Sequence, residues 1–145
     1  LSVSSDSLNG VSIGFAGLSR MKKLFVALLM GFASTAASAD LLQLSSNEKE
    51  VAYAEKNTVK KSGDVVSMWS LYDLKRTQYI ARKPYQSIKY QMEYQCKKQQ
   101  VRIRGWKYYS GQMGEGELIY KDAFTDIWTP IAGVEPEWHF ACNHS

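Results

Sequence analysis

Polar and apolar positions alternate without interruption over residues 87–96. Ile88, Tyr90, Met92, Tyr94 and Cys96 fall on one side of an extended chain, and Ser87, Lys89, Gln91, Glu93 and Gln95 fall on the other. Strand side chains point to alternate faces, so this period of two predicts a strand with one buried and one wet face. A helix would scatter the same five apolar side chains around its circumference. Lys97-Lys98-Gln99-Gln100 then supplies a turn, and Val101 and Ile103 restart the alternation against Arg102 and Arg104. Past Gly105 the parity flips, because Trp106 and Tyr108 share the parity of the two arginines. A glycine at such a flip predicts a β-bulge that turns the following side chains back inward. Residues 86–109 are therefore read as a β-hairpin.

The flanking segments add shorter strands. Leu41-Leu42-Gln43-Leu44 reads as an edge strand, residues 45–49 as a polar turn, and Val51-Ala52-Tyr53-Ala54 as a strand broken by Lys56-Asn57. Residues 58–61 continue extended, and Ser62-Gly63-Asp64 is a tight-turn signal. Residues 65–73 place Val65, Trp69 and Leu71 on one face and Val66, Met68 and Tyr72 on the other, the pattern of a central strand covered on both sides. Residues 75–85 hold Lys75, Arg76, Arg82, Lys83 and Pro84 without periodicity and read as a long exposed loop. Residues 110–116, with three glycines, read as a hairpin loop. They lack the Lys-Ser/Thr ending of a phosphate loop.

Residues 117–120 form another strand, and residues 125–130 an extended link. Residues 134–142 predict a short helix, because Glu135, Pro136 and Glu137 suit a first turn. Val134, Trp138 and Ala141 share one of its faces. Short turns and the lack of helical crossovers favour antiparallel pairing. The expected fold is a β-rich α+β domain: a single antiparallel sheet of about six strands with a C-terminal helix tied by one disulfide.

The N-terminal region changes this picture in one respect. Met21-Lys22-Lys23, a short apolar run over residues 24–32 and Ala37-Ser38-Ala39 have the anatomy of a secretory signal peptide, with cleavage expected between Ala39 and Asp40. The run is too short for a transmembrane anchor, which needs roughly twenty apolar residues. Residues 1–20 make no sense ahead of a signal peptide and are read as a non-native upstream extension, with Met21 the initiator. Residues 21–39 are the leader and residues 40–145 the domain. No cysteine follows the cleavage site, so a lipid anchor at the new N-terminus is not indicated. The expected product is soluble and extracytoplasmic: periplasmic, secreted or associated with the cell surface.

Removing the leader takes away Arg20, Lys22, Lys23 and Asp6 and lowers the net charge from +4 to about +2. A nucleic-acid binder would keep a stronger imbalance on one face, so nucleic acid is not an expected partner. Two cysteines in an exported chain favour one disulfide over the alternatives of a metal pair or two free thiols.

Candidate chemistry is sparse. His139, Cys142 and His144 lie close in sequence, but a structural zinc site normally needs four ligands, and an oxidised cysteine is neither ligand nor nucleophile. No metal or cofactor is expected. The carboxylate pairs Glu115/Glu117 and Glu135/Glu137 are read as solvated surface rather than a glycosidase pair. Ser87 and Ser110 have no histidine placed by a recognisable motif, so the chain is not read as an enzyme. The suggestive feature is basic: Lys89, Arg102 and Arg104 share the polar face of the hairpin, with Lys97 and Lys98 at its turn. Such a patch suits a polyanion or an acidic protein surface. The competing explanation is cross-strand pairing of Glu93 with Arg102 or Arg104. Trp69, Tyr90 and Tyr94 are read as core rather than as a carbohydrate platform.

Several segments, taken in order, resemble the surface-adhesin protein E-like domain family. Lys60-Lys61-Ser62-Gly63-Asp64-Val65-Val66-Ser67-Met68-Trp69 looks like its basic pair, glycine, apolar strand and Trp. Ser87-Ile88-Lys89 and Glu93-Tyr94-Gln95-Cys96 are similar to its strand running into a first cysteine. Tyr108-Tyr109-Ser110-Gly111-Gln112-Met113-Gly114, Trp128-Thr129-Pro130-Ile131 and Cys142 match its later segments. The resemblance covers nearly all of residues 42–143. It implies a small antiparallel β domain whose C-terminal helix is held by a Cys96–Cys142 bridge. It also implies a non-catalytic module, since the family's named member is a surface adhesin that engages host matrix and serum proteins and dimerises. A host matrix or envelope protein, a polyanion and a second copy of the chain are the expected partners. The alternative function is a small periplasmic inhibitor of a lysozyme-type hydrolase, presenting a loop such as residues 111–116 to an enzyme cleft.

Overall fold

A computed structural model describes residues 40–123 and 126–145. The expected leader and upstream extension fall outside the described residues. The strands are β1 (Leu41–Ser46), β2 (Glu50–Glu55), β3 (Lys60–Ser62), β4 (Val65–Ile80), β5 (Lys83–Gln95), β6 (Gln100–Tyr109), β7 (Leu118–Ala123) and β8 (Thr129–Pro130), followed by helix α1 (Glu135–Asn143). Six main strands form one antiparallel sheet in the order β1-β2-β4-β5-β6-β7. The short β3 pairs with the start of β4, and β8 with the start of β6.

The core follows from the registers. Val66, Met68 and Tyr72 of β4 lie opposite Tyr94, Met92 and Ile88 of β5, so two apolar rows meet on one face. Ala52 and Ala54 of β2 continue that face opposite Tyr72 and Ser70. Helix α1 covers it, burying Phe140 and Ala141 among Met68, Met92 and Tyr94. Each large apolar side chain removed from water contributes about 1.5–3 kcal/mol. The Cys96–Cys142 disulfide, with Cα atoms 5.7 Å apart, joins the end of β5 to the helix. On the opposite face Leu71 is fully buried, so β4 is covered on both sides, as its two apolar faces predict.

The bulge expected at Gly105 is present. Gln91 faces Gly105 while Met92 faces Ile103, which leaves Arg104 as the extra residue. Trp106 and Tyr108 thereby return to the face of Tyr90 and Ile88.

Two expectations are corrected. Residues 75–85 are not a loop: β4 runs on to Ile80, and β5 begins at Lys83, with Gln78, Tyr79 and Ile80 opposite Tyr85, Pro84 and Lys83. The pairing slips register between Asp73 and Gln78. Beyond it β4 has no β2 partner, since that ladder ends at Glu50 opposite Leu74, and β6 reaches only to Ser87. This length of hairpin projects past the sheet as a two-stranded arm. Its residues show no apolar period because most side chains on both faces are exposed; Ile80 and Tyr85 are half-buried, and Tyr85 stacks on Tyr108 of β6 at 4.7 Å between centroids. The turn is made by Ala81 and Arg82 at φ of 47° and 66°, where a two-residue hairpin normally uses Asn-Gly or a similar pair.

The second correction is Glu137, which is not solvated surface but 2% exposed beneath α1. Tyr72 on β4 donates a hydrogen bond to its Oε1 at 2.7 Å, a partner no local pattern signals. Glu115, Glu117 and Glu135 are exposed.

Candidate binding surface

The face of the sheet away from α1 gathers the charged residues. Lys89, Arg102 and Arg104 lie there as the alternation predicts, but each meets an acid. The Lys89 ammonium sits 2.6 Å from Glu55 on β2. Arg102 Nε donates to Glu93 at 2.6 Å and its Nη1 to Asp126 at 3.1 Å, while its guanidinium lies over the Trp128 ring at 4.6 Å. Arg104 bridges the same two acids, bonding Asp126 and standing 3.8 Å from Glu93. Arg102 and Glu93 are each 22% exposed, so this is a half-buried network rather than a pair of loose surface ions. Lys97 is fully in water and reaches Asp64 at 3.1 Å. Lys98 beside it is exposed at the turn between β5 and β6. Glu93 and Arg102 are cross-strand neighbours, as the competing explanation required. Glu55 and Asp126 come from distant segments that the hairpin pattern does not reveal.

The arm is different. Lys75, Arg76, Arg82 and Lys83 are all exposed, and residues 74–86 contain no acid. Lys75 bonds the Ser46 hydroxyl at 3.2 Å. Among the described residues no carboxylate pairs with Arg76, Arg82 or Lys83. Tyr79 stands on the arm 69% exposed, the most open large hydrophobic residue among those described. At the arm's root a groove of about 630 Å³ runs between Glu48, Glu50, Leu74, Arg76, Tyr85 and Ile88. The sequence displays these cations, and only the projecting geometry marks them as a surface.

The loop after β6 lies against the sheet rather than standing out from it. Buried Ser87 Oγ donates to the Gly111 carbonyl at 2.6 Å and accepts the Gly114 N–H at 2.9 Å. Asp73 accepts the Met113 N–H at 2.6 Å. Gly114 has φ of 74°, a conformation that glycine adopts without strain, and a Cβ there would have to displace the end of the Lys89 side chain, 2.6 Å away. Under the helix, burial holds the Glu137 carboxyl above its ordinary range, with Glu50 and Glu135 adding to the shift and the Tyr72 hydrogen bond opposing it. Burial likewise raises the phenols of Tyr72, Tyr90 and Tyr94, which therefore stay protonated. Tyr94 is core, as expected, and Tyr90 packs against the core at its edge, but Trp69 departs from the expectation: it lies outside that core, half-buried on the opposite face.

Cys142 is oxidised, and the His144 ring stacks on Phe140 at 4.2 Å between centroids. Among the described residues no group of three or more His, Cys, Asp or Glu is placed to hold a metal ion. No described helix is long and apolar enough to cross a membrane.

Residues 41–143 match the family model of the surface-adhesin protein E. The fold is similar to solved structures of Haemophilus influenzae protein E. Crystal form II gives a TM-score of 0.53 at 12% identity, over 72% of this chain and 87% of that one. Protein E from non-typeable Haemophilus influenzae gives 0.52 at 12% identity, over 74% and 76%. No curated protein sequence matches the chain.

Proposed function

The chain belongs to the surface-adhesin protein E family, and from that premise we propose that it is a non-catalytic extracytoplasmic binding module contacting a host matrix or serum protein, or another envelope protein, through its basic arm. The observation that carries the reading is the contrast between two sets of cations. Lys89, Arg102 and Arg104 spend their charge on Glu55, Glu93 and Asp126. Among the described residues no carboxylate pairs with Arg76, Arg82 or Lys83, which are exposed beside an open tyrosine, although Arg76 shares its groove with Glu48 and Glu50. Uncompensated charge of one sign steers an oppositely charged partner, and a tyrosine within it supplies contact area.

The expected leader supports delivery outside the cytoplasm, where such a partner would be met. Recognition through the arm is by charge and shape.

The test is retention of the full chain on a panel of immobilised matrix and serum proteins, with lysozyme alongside. Arg76→Glu, Arg82→Glu and Lys83→Glu together should abolish retention and leave the melting temperature unchanged. Reversal of Lys89, Arg102 and Arg104 should instead lower the melting temperature, because it sets new acids against Glu55 and Glu93. Equal retention of the native and arm-reversed proteins would overturn the reading. Tight binding to lysozyme alone would replace it with the inhibitor.

A further inference from the structure

On the face away from α1, three lysines stand directly opposite one another across the sheet. Lys89 on β5 faces Lys107 on β6, and Lys107 faces Lys121 on β7. Like charges at opposed positions destabilise a sheet, so such a row calls for compensation. Lys89 has it in Glu55. The Lys107 ammonium lies over the indole of Trp69, 4.9 Å from the ring centroid. Among the described residues no carboxylate pairs with Lys107 or Lys121.

Beside that indole lies a shallow hollow of about 180 Å³, lined by Asn57, Thr58, Lys60, Trp69 and Gln91 among others, with no carboxylate in its wall. The wall is held in place. Thr58 Oγ1 accepts the Trp69 backbone N–H at 2.9 Å and donates to the Glu55 carbonyl at 2.6 Å. Gln91 faces Gly105 across the bulge, a residue with no side chain to cover its amide.

We infer that this hollow binds an acidic glycan, a sulfated or carboxylated oligosaccharide. The C–H face of one sugar takes the place of the Lys107 ammonium on the Trp69 ring, and the Gln91 amide bonds its hydroxyls. Lys60 and Lys107 hold its anionic groups, with Lys121 placed for the next unit. Neighbouring strands are about 4.8 Å apart, so the backbone positions of Lys107 and Lys121 are spaced much like successive sugars in an extended chain. An aromatic face beside an amide and flanking cations is a poor use of residues for an acidic peptide, which would match the charges and leave the indole idle. The site lies apart from the arm and does not rest on the arm's role.

The probe is a heparin tetrasaccharide, too short to gain from scattered surface charge, with a neutral tetrasaccharide and tetraglutamate as controls. It is titrated against the full chain by calorimetry and by tryptophan emission. Lys60→Gln with Lys107→Gln should weaken the tetrasaccharide by at least about tenfold. Trp69→Phe should abolish most of the emission change, and reversal of the arm cations should leave the affinity unaltered. Lys60 is exposed and Lys107 half-buried, and glutamine keeps most of the length of both side chains, so the double variant tests the site even if a Trp69 change perturbs folding. Unchanged affinity in the lysine variant, loss of binding in the arm variant, no binding by the native chain, or tetraglutamate binding as tightly would each overturn the proposal.

Discussion

The β4–β5 hairpin runs through two environments. In its body, Val66, Met68 and Tyr72 face Tyr94, Met92 and Ile88 beneath α1, and the six are at most 9% exposed. In its arm, past the slip between Asp73 and Gln78, the same ladder continues with no fully buried side chain. Backbone pairing alone is marginal in water for an isolated two-stranded ribbon. The arm persists because its root is clamped into the sheet, where the neighbouring strands and the helix hold both chains in register. The body carries stability and the arm carries free charge, and the slip separates the two. Substitutions on either side should therefore affect different measurements.

Replacing Cys96 and Cys142 by Ala should have the largest effect. The bridge spans 46 residues, and the chain-entropy model gives about 4 kcal/mol for closing such a loop. Thermal melts of the native protein with and without reductant should reproduce most of that loss. Matched melts would mean that α1 is held by packing alone. Next comes a pair of truncations across the boundary. Met92→Ala in the body should cost about 3 kcal/mol through lost burial and the cavity left behind, whereas Tyr79→Ser on the arm should stay within about 0.5 kcal/mol. Denaturant midpoints decide it, and comparable losses would erase the distinction between body and arm.

Glu137 extends the comparison to pH, because it is a charge-bearing group inside the body. Its carboxyl is held above the ordinary value of 4.5, chiefly by burial. The folded state thus binds this proton more tightly than the unfolded chain does. The resulting stability is fully present below the ordinary value and is lost as pH rises through the raised one. Glu137→Gln cannot titrate, so native stability relative to this variant should fall across that interval. The other carboxylates are common to both proteins and cancel. Parallel pH profiles would mean that Glu137 titrates alike in the folded and unfolded chain, so that burial does not hold its proton.

These differences also mark what the sequence could reveal. The body was legible because one face of β5 is buried and the other wet, which writes a period of two into residues 87–96. The bulge was legible because Gly105 coincides with a change of parity. The arm was not, since two wet faces leave no period and Ala81-Arg82 is not a recognisable turn pair. Glu137 looked like an ordinary acid in a helix's first turn, and its partner Tyr72 lies 65 residues away. The basic face was read correctly as to side, but Glu55 and Asp126, which neutralise it, arrive from β2 and from the segment before β8. Pairing between distant segments leaves no trace in a local pattern.

The most local effect expected is also the one that separates the two regions most cleanly. Ala81 and Arg82 both occupy the left-handed region, at φ of 47° and 66°. There a side chain with a Cβ costs roughly 1 kcal/mol relative to glycine. Arg82→Gly should therefore stabilise the arm's turn by up to about 1 kcal/mol, less whatever the unfolded chain gains in freedom from the new glycine. Hydrogen exchange should slow for the amides of residues 78–85, while global stability moves little, since the arm contributes little to the core. The same substitution deletes one of the free cations, so retention on an acidic partner should weaken as the turn becomes firmer. If exchange in the arm quickens instead, the left-handed turn is not the arm's resting conformation. If retention is unaffected, Arg76 and Lys83 carry the charge contact without Arg82.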